Sequence, residues 1–184
     1  PDELNGDLLL MESRTSVRRI TCHLLEQGRT LPGFIGDISY AQSNRERYEG
    51  FCQALADAGK KVDSSLCLTT PLGIDTYREE IDTFLSSLSR MPDAFVCASD
   101  YVACILMQLL EKRGLRVPED VAVSGFDNNT EDLLAEHLTT VQVFNEELGA
   151  RLALQILYRI KYPNTPHEIT YLGTNVLYRD STGD

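Results

Sequence analysis

Apolar positions along the chain follow two alternating rhythms. Short runs such as Leu8-Leu9-Leu10-Met11, Gly33-Phe34-Ile35-Gly36 and Ala94 to Ala98 have the length and residue types of buried strands. Between them, apolar residues recur every three or four positions: Val17, Ile20, Leu24 and Leu25, then Tyr48, Phe51, Cys52 and Leu55. That spacing gathers them on one face of a helix. The pattern predicts strands over 8–11, 33–36, 62–68, 94–98 and 121–126, with helices over 15–27, 44–58, 75–89 and 100–113 between them. Gly28, Gly59 and Gly114 stand where helices end. Ser43, with Glu46 three residues later, reads as a capping box opening the second helix.

Strands alternating with helices predict an α/β fold, a doubly wound and mostly parallel sheet covered on both faces. After residue 130 the rhythm changes. A strand at 138–141 has no helix before it, a long amphipathic helix follows at 145–161, and 168–172 and 175–178 read as closing strands. The helix at 101–113 is apolar nearly all round, so it needs a cover besides the sheet, either inside the domain or on a partner.

Composition narrows the class. At 184 residues the chain suits one domain with a substantial core. Its formal charge of −11 repels phosphate backbones, so nucleic-acid binding by this piece itself is not expected. Five widely spaced cysteines without a CxxC pair argue for reduced thiols in a cytoplasmic protein, with neither a disulfide frame nor a metal site. No cofactor is implied. No apolar run approaches the ~20 residues that span a bilayer, and no membrane partner is expected. The first residues lack an initiator methionine and enter a strand almost at once, which reads as a piece excised from something longer.

Candidate chemistry collects after the strands, where open α/β sheets form their ligand crevice. In "VAVSGFDNNTED", residues 121–132, a strand runs into a burst of oxygen-bearing side chains led by Asp127. Asp127 is either a turn residue bonding its own backbone or a ligand contact. Asp100 stands where a helix cap belongs, leaving Ser99 freer to face a ligand. Arg47, read as lying in the first turn of its helix, opposes the partial positive charge there, so it is either solvated or held by another group. Together Arg47 and Asp127 would offer a planar donor fork and an acceptor, a pairing suited to adjacent hydroxyls of a sugar. No catalytic motif is present, and no enzyme is expected. A small hydrolase using Asp100 and Asp127 is the remote alternative.

Three stretches, "SNRERYEGFCQALADAG", "PDAFVCASDYVACILMQLLEKRGLRVPEDVAVSGFDN" and "LTTVQVFNEELGARLALQIL", resemble the effector-binding core of LacI/GalR transcriptional regulators, which share the periplasmic-binding-protein type I fold. The resemblance runs from about residue 8 to the end. It implies a Rossmann-like subdomain over 8–132, a strand and helix at 138–161 belonging to the other subdomain, and closing strands at 168–178. The DNA-binding domain and the first half of the N-terminal subdomain would be absent. It implies a small-molecule effector, a sugar or related polyol, bound by Arg47, Asp127 and Ser99, with Asp100 as a further contact or a cap. It also implies a homodimer through Val102, Cys104 and Ile105, and DNA binding only through the absent domain.

The sequence departs from the family pattern in four places. Ser99 stands where asparagine is common, Arg29 where histidine is, Pro32 where a β-branched residue is, and His137 where proline is. Pro32 cannot donate to a sheet ladder and is expected at its strand's first position. With half of one subdomain absent, Leu148, Leu152, Ile156 and Ile160 are expected to form an exposed stripe through which the chain self-associates. An exported periplasmic sugar-binding protein of the same fold is the alternative reading.

Overall fold

The computed structural model of the chain describes residues 6–73, 75–129 and 133–183. Its elements run β1 (Leu8–Met11), α1 (Arg14–Glu26), β2 (Pro32–Ile35), α2 (Gln42–Asp57), β3 (Cys67–Leu68), α3 (Tyr77–Ser87), β4 (Ala94–Cys97), α4 (Asp100–Lys112), β5 (Ala122–Ser124), β6 (Thr140–Gln142), α5 (Asn145–Lys161), β7 (Ile169–Leu172) and β8 (Asn175–Leu177). Short 3-10 turns occupy Ser64–Leu66, Leu133–His137 and Asp180–Thr182.

Four parallel strands in the order β3-β2-β4-β5 make the central sheet. Its strands β2 and β4 are buried throughout, as expected of a sheet covered on both faces. One apolar layer packs Val17, Ile20, Leu24, Phe34, Phe51 and Leu55 beneath α1 and α2. The other packs Ile81, Leu85, Phe95, Leu106 and Leu110 beneath α3 and α4. Pro32 opens β2, where its missing N–H breaks no interior ladder. Helices α1 and α2 cross closely at Gly50, where a Cβ would fall 2.2 Å from the Arg14 carbonyl oxygen.

The strand pairing divides the chain differently from the expected 8–132, 138–161 and 168–178. β1 stands outside the central sheet and pairs in parallel with β7. Asp7 fastens this small sheet to α5: it accepts from Arg159, from Gln155 Nε2 at 2.9 Å and from the Glu168 amide at 2.9 Å. β6 stays beside β5 through bridges Ser124–Thr139 and Asp127–Gln142, and pairs antiparallel with β8. Thus β6 and β8 extend the central sheet, while β1, α5 and β7 form a second layer. Glu131 and Asp132, the end of the polar burst, lie outside the described residues.

Two local expectations change. The capping box at Ser43 is replaced by a helix start two residues earlier than expected, at Gln42, with Ala41 in the cap position and no side-chain cap. Val102, Cys104 and Ile105, expected at a dimer interface, are enclosed within the single chain at 4%, 4% and 7% exposure. The central sheet, α3 and the residues flanking the 133–137 turn, Leu134 and Leu138, supply the second cover that the all-round apolar helix α4 requires.

Helix α5 has no buried residue, and its Leu154, Leu157 and Ile160 stand largely in solvent. Leu152 and Ile156 of the expected stripe are exposed as well, while Leu148 is half-buried. Concentration-dependent association is therefore expected in sedimentation velocity, weakened in Leu157→Glu/Ile160→Glu; a monomer at all concentrations contradicts it. Gly50→Ala is expected to cost about 1–3 kcal/mol in urea unfolding, because overpacking against a backbone carbonyl outweighs alanine's helix preference.

Candidate functional site

The central sheet reverses its strand order between β2 and β4, and the loops leaving their carboxyl ends part to form a crevice. Arg47 on α2, the Ala98-Ser99 step after β4 and Asp127 after β5 all reach this edge. A cavity of about 760 Å³ opens there. Gln42, Ser43, Glu46, Arg47 and Asp127 to Asn129 line one wall, and Leu9 to Met11, Ser13, Val143 and Asn145 line the other.

Arg47 lies in the second turn of α2 rather than the first, and only 11% of its side chain is exposed. The guanidinium is held from three sides. Nη1 donates to the Ala98 carbonyl oxygen, Nη2 donates to Asp127 Oδ1 at 3.3 Å, and the guanidinium carbon lies 3.7 Å from the centre of the Phe126 ring. A stacked, planar cation of this kind retains its charge where an ammonium would lose it. Burial nevertheless pulls the Arg47 pKa down, with Asp127 and Asp100 opposing the change. Its Nε is enclosed and meets no acceptor among the described residues.

Asp127 meets Arg47 from a constrained loop. Burial raises the Asp127 carboxyl above its ordinary range, and Arg47 opposes that rise. Asp127 and Asn128 adopt φ of 112° and 51°, left-handed values that non-glycine residues take only under restraint. The restraints are visible on Asn128. Its amide donates to Thr140 Oγ1 at 3.2 Å, its Nδ2 donates to Gln142 Oε1 at 2.6 Å, and its Oδ1 accepts from Arg179 Nη2 at 2.8 Å. The residues before Asp127 matter in their own ways: a Cβ at Gly125 would fall 2.2 Å from Asp100 Oδ1, and Phe126 is the platform under Arg47.

Ser99 takes the cap expected of Asp100, and Asp100 becomes a buried tie between loop and strand. Ser99 caps α4, its hydroxyl accepting from the Val102 amide at 3.4 Å, and it is not on the cavity wall. Asp100 caps nothing and lies off that wall. Its carboxylate, 2% exposed as a residue, accepts from the Asn129 amide at 2.7 Å and from Thr140 Oγ1 at 2.6 Å, so it ties the Asp127 loop to β6. Asp100 and Asp127 thus have separate hydrogen-bond partners, Asp100 the Asn129 amide and Thr140, Asp127 the Arg47 guanidinium. Sequence reasoning missed the roles of Phe126, the Ala98 carbonyl and Asn128. Asn128 was visible only as part of the polar burst after β5, and Phe126 only as the aromatic ahead of Asp127.

Burial raises the Asp100 pKa from 3.8 to about 6, against hydrogen bonds from Thr140 and Asn129 that lower it. The folded state thus holds this proton more tightly than the unfolded chain, and stability falls as pH rises from about 4 to about 6. Asp100→Asn removes the titration. The stability of wild type relative to this variant is expected to drop by about 2 kcal/mol between pH 4 and pH 7 in urea unfolding. A difference that does not change with pH contradicts the assignment.

Residues 21–182 match the periplasmic binding protein-like domain family. The transcriptional regulator DegA of Bacillus subtilis (strain 168) is 35% identical over 130 residues, 70% of this chain and 38% of that protein. The transcriptional regulator CelR of Thermobifida fusca is 32% identical over 170 residues, 89% of this chain and 48% of that protein. A solved complex of the transcriptional regulator CelR with cellobiose superposes with a TM-score of 0.86 at 28% identity, covering 98% of this chain and 55% of that one. The chain thus spans about half or less of the length of these curated relatives. The chain belongs to the periplasmic binding protein-like domain family and is similar, over nearly its whole length, to the effector-binding core of LacI-family transcriptional regulators.

Proposed function

We propose that the chain is the effector-sensing part of a LacI-type regulator and that its cavity takes a sugar or related polyol between Arg47 and Asp127. The observation that carries this reading is the Arg47–Asp127 pair on the wall of the 760 Å³ cavity. A guanidinium and a carboxylate side by side donate to and accept from vicinal hydroxyls, and an enclosed hydroxyl needs such partners. The cellobiose found in the CelR complex supports the same ligand class.

The two walls belong to different layers, one to the central sheet and the other to β1 and the start of α5. A ligand touching both favours one relative orientation of the layers, a population shift that a DNA-binding segment outside this sequence reads. In this reading the regulator works in the cytoplasm as a homodimer, binds DNA only through that segment and catalyses no reaction. With Val102, Cys104 and Ile105 enclosed, a partner would meet the neighbouring exposed surface of α4, such as Tyr101.

Calorimetry with a sugar panel that includes cellobiose tests the site. Arg47→Ala and Asp127→Ala are each expected to weaken the best hit at least tenfold, the loss of one charge-assisted contact. Undiminished heat in both variants refutes the assignment.

A further inference from the structure

Glu46 precedes Arg47 on α2 and lines the same cavity, yet it is 7% exposed. A carboxylate so enclosed is costly to desolvate unless well paired. Its pairing is poor. Oε1 accepts from Gln42 Nε2 at 3.4 Å and from Tyr171 Oη at 3.3 Å, both long, and Glu46 makes no ion pair among the described residues. The adjacent Arg47 guanidinium feels the Glu46 charge but makes no ion pair with it, its N–H groups and face being engaged by Ala98, Asp127 and the Phe126 ring. Most of the carboxylate's acceptor capacity is therefore unused beside a cavity.

The wall's charges point the same way. Its described lining holds one cation, already balanced, and two carboxylates, Glu46 and Asp127. With Asp127 balancing Arg47, a phosphate or carboxylate entering the cavity would face the uncompensated charge of Glu46 in a partly desolvated space, where repulsion is weakly screened. A hydroxyl or ammonium group would instead satisfy Glu46.

We propose that Glu46 contacts the effector as a hydrogen-bond acceptor and makes the cavity selective for donor-rich uncharged or cationic sugars over anionic ones. This inference rests on the receptor reading above and adds a residue and a ligand class to it.

Amide chemical-shift titration of the 184-residue chain with millimolar glucose, glucosamine and glucose 6-phosphate reads the weak affinities that a cavity of this kind gives. Wild type is expected to bind glucosamine at least as well as glucose and to bind glucose 6-phosphate at least tenfold more weakly. Glu46→Gln keeps the side chain's length and an acceptor for Tyr171 while removing the charge. It is expected to lower the preference for glucosamine and to reduce the discrimination against the phosphate by about ten- to hundredfold, the range for one contact to a charged group. Unchanged selectivity in a Glu46→Gln protein with a wild-type urea midpoint overturns the proposal. If Arg47→Ala abolishes glucose binding while Glu46→Gln leaves the ratios intact, this inference alone fails. If Arg47→Ala binds the probes as wild type does, the receptor reading fails and takes this inference with it; if wild type binds none of the three, the selectivity proposed for Glu46 fails while the wider sugar panel still decides the receptor reading.

Discussion

The site depends on keeping one guanidinium out of water. Removing the Arg47 charge from solvent is expensive, and the structure offsets that cost from two separate segments: the Ala98 carbonyl after β4, and the Phe126 ring with the adjacent Asp127 carboxylate after β5. Because those segments lie far apart along the chain, the arginine is satisfied only when β2, β4 and β5 are in register. In the proposed receptor, ligand recognition and correct sheet assembly would therefore draw on the same contacts.

The carboxylate that faces Arg47 needs support of its own. Asp127 sits in a backbone conformation that costs free energy, and the loop stays there because Asn128 is bonded at its amide, its Nδ2 and its Oδ1. Asp100 works behind it, holding Asn129 directly and Asn128 through Thr140. The C-terminal segment completes the frame: Ser181 Oγ donates to the Val123 carbonyl at 2.6 Å and accepts from the Thr139 amide at 2.8 Å. Such a densely bonded polar layer fixes one geometry where a looser loop would sample several.

Periodicity exposed the skeleton well. β1 and α5 fall on the expected residues, and α1, α2, α3 and α4 begin or end within a few positions of their pattern. The strand expected at 62–68 shrank to Cys67–Leu68 because Asp63 accepts from the Ser65 amide and hydroxyl and winds Ser64–Leu66 into a tight turn. Ser43 lies inside the first turn of α2 and so cannot cap it, and Ser99 took the cap that Asp100 resembled, since the two are adjacent and only backbone angles distinguish them. Arg47 and Asp127 were readable because their chemistry belongs to their side chains. The Ala98 carbonyl, the Phe126 platform and the bonds on Asn128 act through backbone or across segments far apart in sequence, where no local pattern records them.

The layered arrangement also limits how the molecule moves. The chain passes between its two layers at residues 12–13, 143–144 and 173–174. The first and third of these passages are fastened together, Thr174 Oγ1 donating to the Glu12 carbonyl at 3.0 Å and lying 2.8 Å from Ser16 Oγ. Linked crossings add resistance to shear at this seam, which leaves tipping about the three short connectors as the less hindered relative motion, one that would widen or narrow the mouth of the cavity.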